Sequence, residues 1–489
     1  MVQAVNLNLD HKLMRRVRRI HFIGIGGSGM SGIAEVLSAQ NYRVSGSDIA
    51  ETPIVRALRS RGIHVVIGHN ADNLKGVDVA VYSSAISEHN PEMIAAKEQR
   101  IPLVPRAQML AEIMRMHHGI AVSGTHGKTT TTSMIAHVLA SAGMDPTYII
   151  GGRLQNTQRN AALGKGHIVV AEADESDASF LHLRPIISVI TNIEPEHLNN
   201  YAGDFAQVKQ AYITFVHNLP FYGMVAVCLD DPVIAELCPQ FNRTFLSYGL
   251  THEADIYATN IEYQGLETSF TACWRESGKK QKIRLGVPGQ HNVLNALATL
   301  VIAQDINIDL TIIARALASF NGVGRRLEAL GTYSSEDVRD VSLFDDYGHH
   351  PSELKATLNA VHQSFPMRRL VMIFQPHRYT RLRDLYDEFT QVLGGPNGPD
   401  ALILLPVYAA GEDPLPDINA NALARSIRQL GRIDPVLVNN FEELAGILPP
   451  LLRSQDIVIT QGAGTVGQIS ARLAENGLFL SADTYADKF

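Results

Sequence analysis

The chain has 489 residues, 45% hydrophobic and 19% charged, with a formal net charge of -7. Such a length corresponds to about three domains of ordinary size, and such a balance excludes a disordered chain. The negative charge gives no sign of a nucleic-acid surface, so anionic ligands need local basic sites.

Arg15, Arg16, Arg18 and Arg19 make the first residues basic, but no long apolar segment with a small-residue cleavage pattern follows. No run approaches the roughly 20 apolar residues needed to span a bilayer. A cytoplasmic location without membrane insertion is expected. Cys228, Cys238 and Cys273 stand in apolar or strand-like runs and read as buried thiols rather than disulfides or a metal site.

In chain order, the apolar run Ile20 to Ile25 enters Gly26-Gly27-Ser28-Gly29-Met30-Ser31-Gly32, a helical pattern covers Ile33 to Ala39, and Arg43 to Gly46 ends at Ser47-Asp48. This is a β-α-β unit whose glycine turn suits a diphosphate. A nicotinamide dinucleotide would put Asp48 on a ribose hydroxyl. A nucleotide sugar competes with it, because the chain carries a separate triphosphate loop, and a ligand-free Rossmann-like domain is the plain alternative. Pro102, Pro105 and Arg106, with the helical pattern Met109 to Met116, mark the link to a second domain.

The triphosphate loop is Gly124-Thr125-His126-Gly127-Lys128-Thr129-Thr130, between the apolar run Gly119 to Val122 and the helical run Ser133 to Ala142. Strand, glycine loop and helix together present backbone N–H groups, a lysine and a hydroxyl to phosphates and Mg²⁺. Val122 stands where the usual spacing has its first glycine, so a specialised loop is expected rather than a general ATPase. His167 to Val170 reads as a buried strand ending in Ala171-Glu172-Ala173-Asp174-Glu175-Ser176-Asp177, and Ile187 to Thr191 as another ending in Asn192-Ile193-Glu194-Pro195-Glu196-His197. Carboxylates at strand ends can hold Mg²⁺ against triphosphate oxygens.

Alternating runs between Ala254 and Val287 suggest a small antiparallel addition to the main sheet. From Gly324 onwards, Leu343-Phe344, Leu370 to Phe374, Ala401 to Leu405, Pro435 to Val438 and Ile457 to Thr460 read as short buried strands between helical patterns. The expected architecture is α/β in three domains, 1–116, 117–323 and 324–489. The first and last are Rossmann-like, and the central one is P-loop ATPase-like with a mostly parallel sheet.

These motifs, together with Gly289-Gln290-His291-Asn292-Val293-Leu294-Asn295-Ala296, Gly324-Arg325-Arg326, Asp345-Asp346-Tyr347-Gly348-His349-His350-Pro351 and Gln375-Pro376-His377-Arg378-Tyr379-Thr380-Arg381, resemble the Mur ligase family over nearly the whole chain and in the family's order. The resemblance implies a UDP-sugar domain, a central ATP domain, and a C-terminal domain that closes over both and carries the amino acid. It implies ATP-dependent joining of L-alanine to the lactyl carboxylate of UDP-N-acetylmuramate through an acyl phosphate, for peptidoglycan precursors. The alternatives are attachment of a recycled murein peptide to the same sugar nucleotide, and a silent UDP-sugar binder.

Residue by residue, the resemblance implies Lys128 guiding the phosphoryl group, Thr129 and Glu172 on one Mg²⁺, and His197 on a second. It puts adenine near His291, Asn292 and Asn295, with Arg326 reaching phosphates and Arg378 and Arg381 on the alanine carboxylate. Tyr347, His349 and His377 would shape that pocket. Gly26, Gly27, Ser28, Gly29, Met30, Asp48, His69, Ser83, Ser84, Ala85 and Arg106 would meet the sugar nucleotide. Related ligases carry a carbamylated lysine where Tyr212 stands here, with Lys209 a turn earlier, so none is expected. A monomer and a homodimer both remain open.

Overall fold

A computed structural model of the chain describes residues 14, 16–115, 117–155 and 159–479. Arg15 and Met116 fall outside the described residues, as does the side chain of Ser28. Two compact units are present. One comprises residues 1–260, 270–284 and 294–320; the other comprises 261–269, 285–293 and 321–489.

The first unit opens with five short strands, β1 (Arg19–Ile23), β2 (Arg43–Asp48), β3 (His64–Ile67), β4 (Val79–Tyr82) and β5 (Leu103–Pro105), all parallel in the order 3-2-1-4-5. Because β1 lies between β2 and β4, its glycine turn is flanked by Asp48 on one side and Ser83 on the other. Strand order reverses there, from β1-β2-β3 on one side to β4-β5 on the other, which is where open α/β sheets bind ligands. The helix expected from Ile33 begins earlier and spans Ser28–Ala39, despite the low helix propensity of Gly29 and Gly32. Gly32 lets it pack closely: a Cβ there would sit 3.2 Å from both Ala161 and Ile149.

The second sheet has ten strands: β6 (His118–Ser123), β7 (Thr147–Leu154), β8 (Arg159–Ala162), β9 (Ile168–Glu172), β10 (Ile187–Ile190), β11 (Met224–Cys228), β12 (Thr244–Gly249), β13 (Ile256–Gln264), β14 (Glu267–Trp274) and β15 (Lys280–Leu285). Their order is 15-14-13-12-11-10-6-9-7-8. The addition expected near Ala254 to Val287 is β13 to β15, and the two-residue link Gly265-Leu266 makes β13 and β14 a hairpin. A second antiparallel pair, β7 with β8, lies at the opposite edge and had no clear sequence signal. The helix after β6 spans Lys128–Ser141 rather than starting near Ser133. Thr132 and Ser133 hydroxyls bond back to the carbonyls of Lys128 and Thr129, so these buried hydroxyls are satisfied within the helix. All three cysteines are free and buried.

The second unit is built on β16 (Glu328–Tyr333), β17 (Val341–Asp346), β18 (Leu370–Phe374), β19 (Ala401–Leu404), β20 (Val436–Leu437) and β21 (Ile457–Gln461), in the order 16-17-21-18-19-20. Only β16 runs antiparallel to its neighbour. Alternation sends Phe344, Met372, Phe374, Leu402 and Ile459 to one core, and Leu343, Val371, Ile373, Ile403 and Val458 to the other. Burial on both faces explains why these strands read as continuous apolar runs. Among the described residues, no helix is long and apolar enough to cross a membrane.

Candidate functional site

β6 lies between β10 and β9, so both acidic strand ends flank the loop Gly124–Gly127. Gly124 has φ +133° and Gly127 φ +83°, and each is hemmed in. A Cβ on Gly124 would fall 2.0 Å from Thr191 Oγ1, and one on Gly127 would fall 2.9 Å from Asn295 Oδ1. The end of β10 clamps the loop. Thr191 Oγ1 donates to the His126 carbonyl at 2.6 Å, and Asn192 Nδ2 donates to the same oxygen at 3.0 Å.

Asn192 also takes two of the loop N–H donors expected to face phosphate. The Thr125 N–H bonds its carbonyl at 3.0 Å and the His126 N–H bonds its Oδ1 at 2.7 Å. The donors left for an anion head the following helix, from Gly127 to Thr130, where a first turn has no intrahelical acceptors. Asn295 stands behind this turn, its Oδ1 accepting from Thr131 Oγ1 at 3.0 Å. His291 and Asn292 lie one turn earlier on the same helix, Gln290–Asp305, and Asn292 Nδ2 donates to the Pro288 carbonyl at 2.7 Å.

Lys128 Nζ donates to the carbonyls of Gly124 at 2.5 Å and Thr125 at 3.1 Å, and is 2.9 Å from both carboxylate oxygens of Glu175. Burial opposes its charge, but Glu175, then Asp174 and Glu172, outweigh that and raise its pKa. Glu175 itself is pushed up to about 7 by burial, against the pull of Lys128 and with Asp174 adding to the rise. Spacing gave no reason to single out Glu175 within its acidic run. Tertiary contact does so.

Glu172 ends β9 opposite Val122, and its Oε1 accepts from the Gly151 N–H at 2.7 Å. His197 is 38% exposed with φ +55°, and its Nε2 lies 3.7 Å from Glu196. A cluster the sequence reading missed joins His126 Nε2 to Glu196 at 3.0 Å and Glu194 at 3.4 Å. The Thr129 hydroxyl and the Glu172 carboxylate, hard oxygen donors beside the loop, fit Mg²⁺; the imidazole of His197 is softer than that ion prefers. In the helix after β10, Tyr212 is fully buried in the core and Lys209 pairs with Glu236.

The glycine turn of the first sheet adjoins this region. The Gly26 N–H donates to Asp48 Oδ2 at 2.8 Å, and Ala50 N–H takes Oδ1 at 3.3 Å, so Asp48 shapes the turn through both oxygens. An ionised carboxylate still has lone pairs for a ribose hydroxyl. Met30 is buried beneath the turn, beside Gly27. A Cβ on Gly29 would be 2.8 Å from the Arg106 guanidinium, and that guanidinium reaches Asp174 at 3.2 Å. Ser84 Oγ donates to Asp177 at 2.9 Å, next to half-buried Ser83 and exposed Ala85. Arg106 therefore joins the glycine turn to the acidic run beside the triphosphate loop. His69 sits behind Asp48, its Nδ1 3.0 Å from Ser47 Oγ.

In the second unit, the ends of β17 and β18 bring Tyr347, His349, His377 and Arg381 together. The His349 ring is 5.5 Å from Tyr347 and 5.4 Å from His377, and His377 stacks on Tyr408 at 5.5 Å. Arg381 Nη1 is 3.0 Å from His377 Nδ1. Arg378, half-exposed with φ +71°, is steered by Glu412 at 3.8 Å. Arg326 bonds Glu353 at 3.0 Å and lies over the Tyr347 ring. Glu353 had no sequence signal, since an acid in a first helical turn is ordinary there, and Glu412 stands in the loop before the helix Ala420–Gln429.

Burial lowers His349 to about 4, with Glu353 opposing and Arg381 adding; burial lowers His377 to about 3, helped by His349 and Arg381. Both rings are neutral at physiological pH. A histidine pKa below its unfolded value gives stability present above pH 6.5 and lost as pH falls towards the folded value. Hydrogen exchange over residues 345–381, corrected for intrinsic rates, is expected to show protection falling between pH 6.5 and 4. The slope should approach about 1.4 kcal/mol per pH unit for each ring. A flat profile would count against neutral burial of the pair.

Residues 19–118 match the sequence model for "Mur ligase family, catalytic domain", 122–303 the "Mur ligase middle domain", and 325–464 the "Mur ligase, glutamate ligase domain". Among solved structures, a UDP-N-acetylmuramate-alanine ligase from Thermotoga maritima is 28% identical with TM-score 0.79, covering 96% of this chain and 100% of that one. A murein peptide ligase from Psychrobacter arcticus is 22% identical with TM-score 0.67, covering 94% and 98%, a likeness of fold alone. A UDP-N-acetylmuramate:L-alanyl-gamma-D-glutamyl-meso-diaminopimelate ligase from Neisseria meningitides is 28% identical with TM-score 0.57, covering 62% of this chain and 98% of that one.

Proposed function

The chain belongs to the Mur ligase family, its three parts matching the family's three domains in order, and from that premise we propose that it joins L-alanine to the lactyl carboxylate of UDP-N-acetylmuramate. Members of the family are ATP-dependent amide-bond ligases of peptidoglycan synthesis. The observation that carries the reading is Arg106, which lies against Gly29 of the diphosphate turn and pairs with Asp174 beside the triphosphate loop. A sugar nucleotide and ATP held on either side of it place a carboxylate within reach of the γ-phosphate. The near full-length match to an alanine ligase supports the choice of nucleophile.

In the reaction, a lactyl carboxylate oxygen attacks the γ-phosphorus and ADP leaves. The alanine nitrogen then attacks the acyl carbon, phosphate leaves with the C–O electron pair, and the amine gives up a proton. Both reactants are anionic, so Lys128 and the helix N-terminus at Gly127 to Thr130 stabilise the charge that moves onto the transferred phosphoryl oxygens. Mg²⁺, held by Thr129 and Glu172 and at a second position by His197, would neutralise phosphate oxygens. By the family's pattern Asn295, with His291 and Asn292, would meet the base, and Arg326 the phosphates. Arg378 and Arg381 hold the alanine carboxylate as guanidinium forks. Tyr347, neutral His349 and His377 wall its pocket. A cytoplasmic site follows from the need for ATP. The division at 1–116, 117–323 and 324–489 is supported by one sheet falling within each part.

The test measures ADP release with UDP-N-acetylmuramate, Mg²⁺ and each nucleophile. Turnover is expected with L-alanine, at least 10-fold above a murein tripeptide, since a pocket fitted to one ligand rejects another by about 1–3 kcal/mol per misfit group. Faster turnover with the tripeptide would establish the murein-peptide reading, and binding of UDP-sugar without turnover would establish a silent binder.

A further inference from the structure

Glu92, the second residue of the helix Pro91–Glu98, has no solvent exposure at all. An acidic residue in a first helical turn is favourable left in water, whereas burying its charge is costly unless donors surround it. Donors do surround it, and they come from three separate segments. Ser47 Oγ at the end of β2 donates to Oε2 at 2.6 Å, and His69 Nδ1, after β3, lies 3.1 Å from the same oxygen. Asn73 Nδ2 donates to Oε1 at 2.5 Å, the Asn70 N–H reaches it at 3.4 Å, and His21 Nε2 on β1 is 3.6 Å away. Burial pushes the Glu92 carboxyl up, but His21, Ser47 and Asn73 outweigh it and hold the carboxyl at about 2. It is a charged hub inside the first sheet.

The segments it ties together are those that carry the sugar-nucleotide contacts. Ser47 precedes Asp48, and its carbonyl accepts the N–H groups of Gly24 and Ile25 at 2.9 Å each, fixing the start of the glycine turn. Asn73 also holds the Gly68 carbonyl at 3.3 Å, next to His69. Glu92, as a carboxylate, only accepts, so the proton of a neutral His69 sits on Nδ1 and Nε2 is left as the acceptor.

We infer that Glu92 is a positioning residue of the sugar-nucleotide site, setting the tautomer and orientation of His69 and the placement of Ser47-Asp48 without touching the ligand itself. The inference rests on the sugar-nucleotide reading above. Glutamine at this position would aim an NH₂ at groups that all donate, turning either the Ser47 and His69 side or the Asn73 side repulsive.

The experiment is UDP titration by calorimetry, with steady-state kinetics on the full-length chain. Glu92→Gln is expected to raise the Kd for UDP and the KM for UDP-N-acetylmuramate at least 10-fold, with kcat and the KM for ATP within 2-fold of wild type. Glu92→Asp should recover part of the loss. His69→Ala should cause a similar rise, and the double variant a smaller one than the two losses combined, because part of the effect of Glu92 passes through His69. If Glu92→Gln does not fold, Ser47→Ala removes one donor and is expected to raise the UDP Kd in the same direction. Unchanged UDP affinity in every foldable variant, or fully additive losses, would overturn the inference. A wild-type chain that binds no UDP would overturn the sugar-nucleotide reading and this inference with it.

Discussion

Replacing Lys128 with alanine is expected to lower kcat for ADP release by roughly 10²–10³-fold or more, the scale of losing one preorganised charge at a developing oxyanion, about 3–4 kcal/mol. The fold should survive. Removing one partner of a buried ion pair is costly when the other stays charged. Here the orphan is Glu175, which burial already pushes up to about 7, so it can take a proton instead. A carboxyl raised above its unfolded value gives stability that is present at low pH and lost as pH rises through the folded value. Lys128→Ala should therefore melt close to wild type near pH 6 and fall behind it as pH climbs past 7. The double variant Lys128→Ala with Glu175→Gln should lose that pH dependence while staying inactive. Wild-type turnover in the single variant would remove the loop from the mechanism.

Gly124→Ala is expected to be severely damaging for a change of one methyl group. At φ +133° the backbone conformation itself costs an L-residue about 1–3 kcal/mol. The new methyl would also meet Thr191 Oγ1 at 2.0 Å, with backbone nitrogens of Thr191 and Asn192 at 3.0 and 3.1 Å, and those backbone atoms cannot rotate away. Moving them releases the clamp on His126, so loop and helix N-terminus shift together. A total cost of about 3–5 kcal/mol is expected, with ligation lost in whatever fraction folds. Gly143→Ala is the control. Gly143 has φ +77° but nothing within 4 Å of the added Cβ, so only the strain remains. Denaturant melts of both variants check the contrast, and equal costs would mean that the clash at Thr191 relaxes freely.

The local pieces of the candidate site could be read from neighbouring residues. A buried strand, a glycine turn and a helix are each set by neighbours a few residues apart, so the loop at 124–130, the turn at 26–32 and the acidic strand ends were legible as motifs. The short buried strands of the third sheet were legible for the same reason, as continuous apolar runs. Helix starts were misplaced by about five residues at both Ser28 and Lys128. Glycine and threonine propensities argue against helix there, and packing overrides them.

Sequence by itself determined which residue types stand at strand ends and that the chain follows the family's motif order. Tertiary structure alone decided their company. Strand order placed β6 between β9 and β10, and β1 between β2 and β4, turning separate motifs into flanked sites. It also chose partners far apart in the chain: Lys128 with Glu175, Arg106 with Asp174, and Glu92 with His69 and Ser47. In sequence, Glu92 is one more acid at a helix start and Glu175 one of four acids within six residues. Pairing over such distances depends on which apolar faces bury against each other. No local pattern carries that information, and only the closed core determines which charge is left facing which.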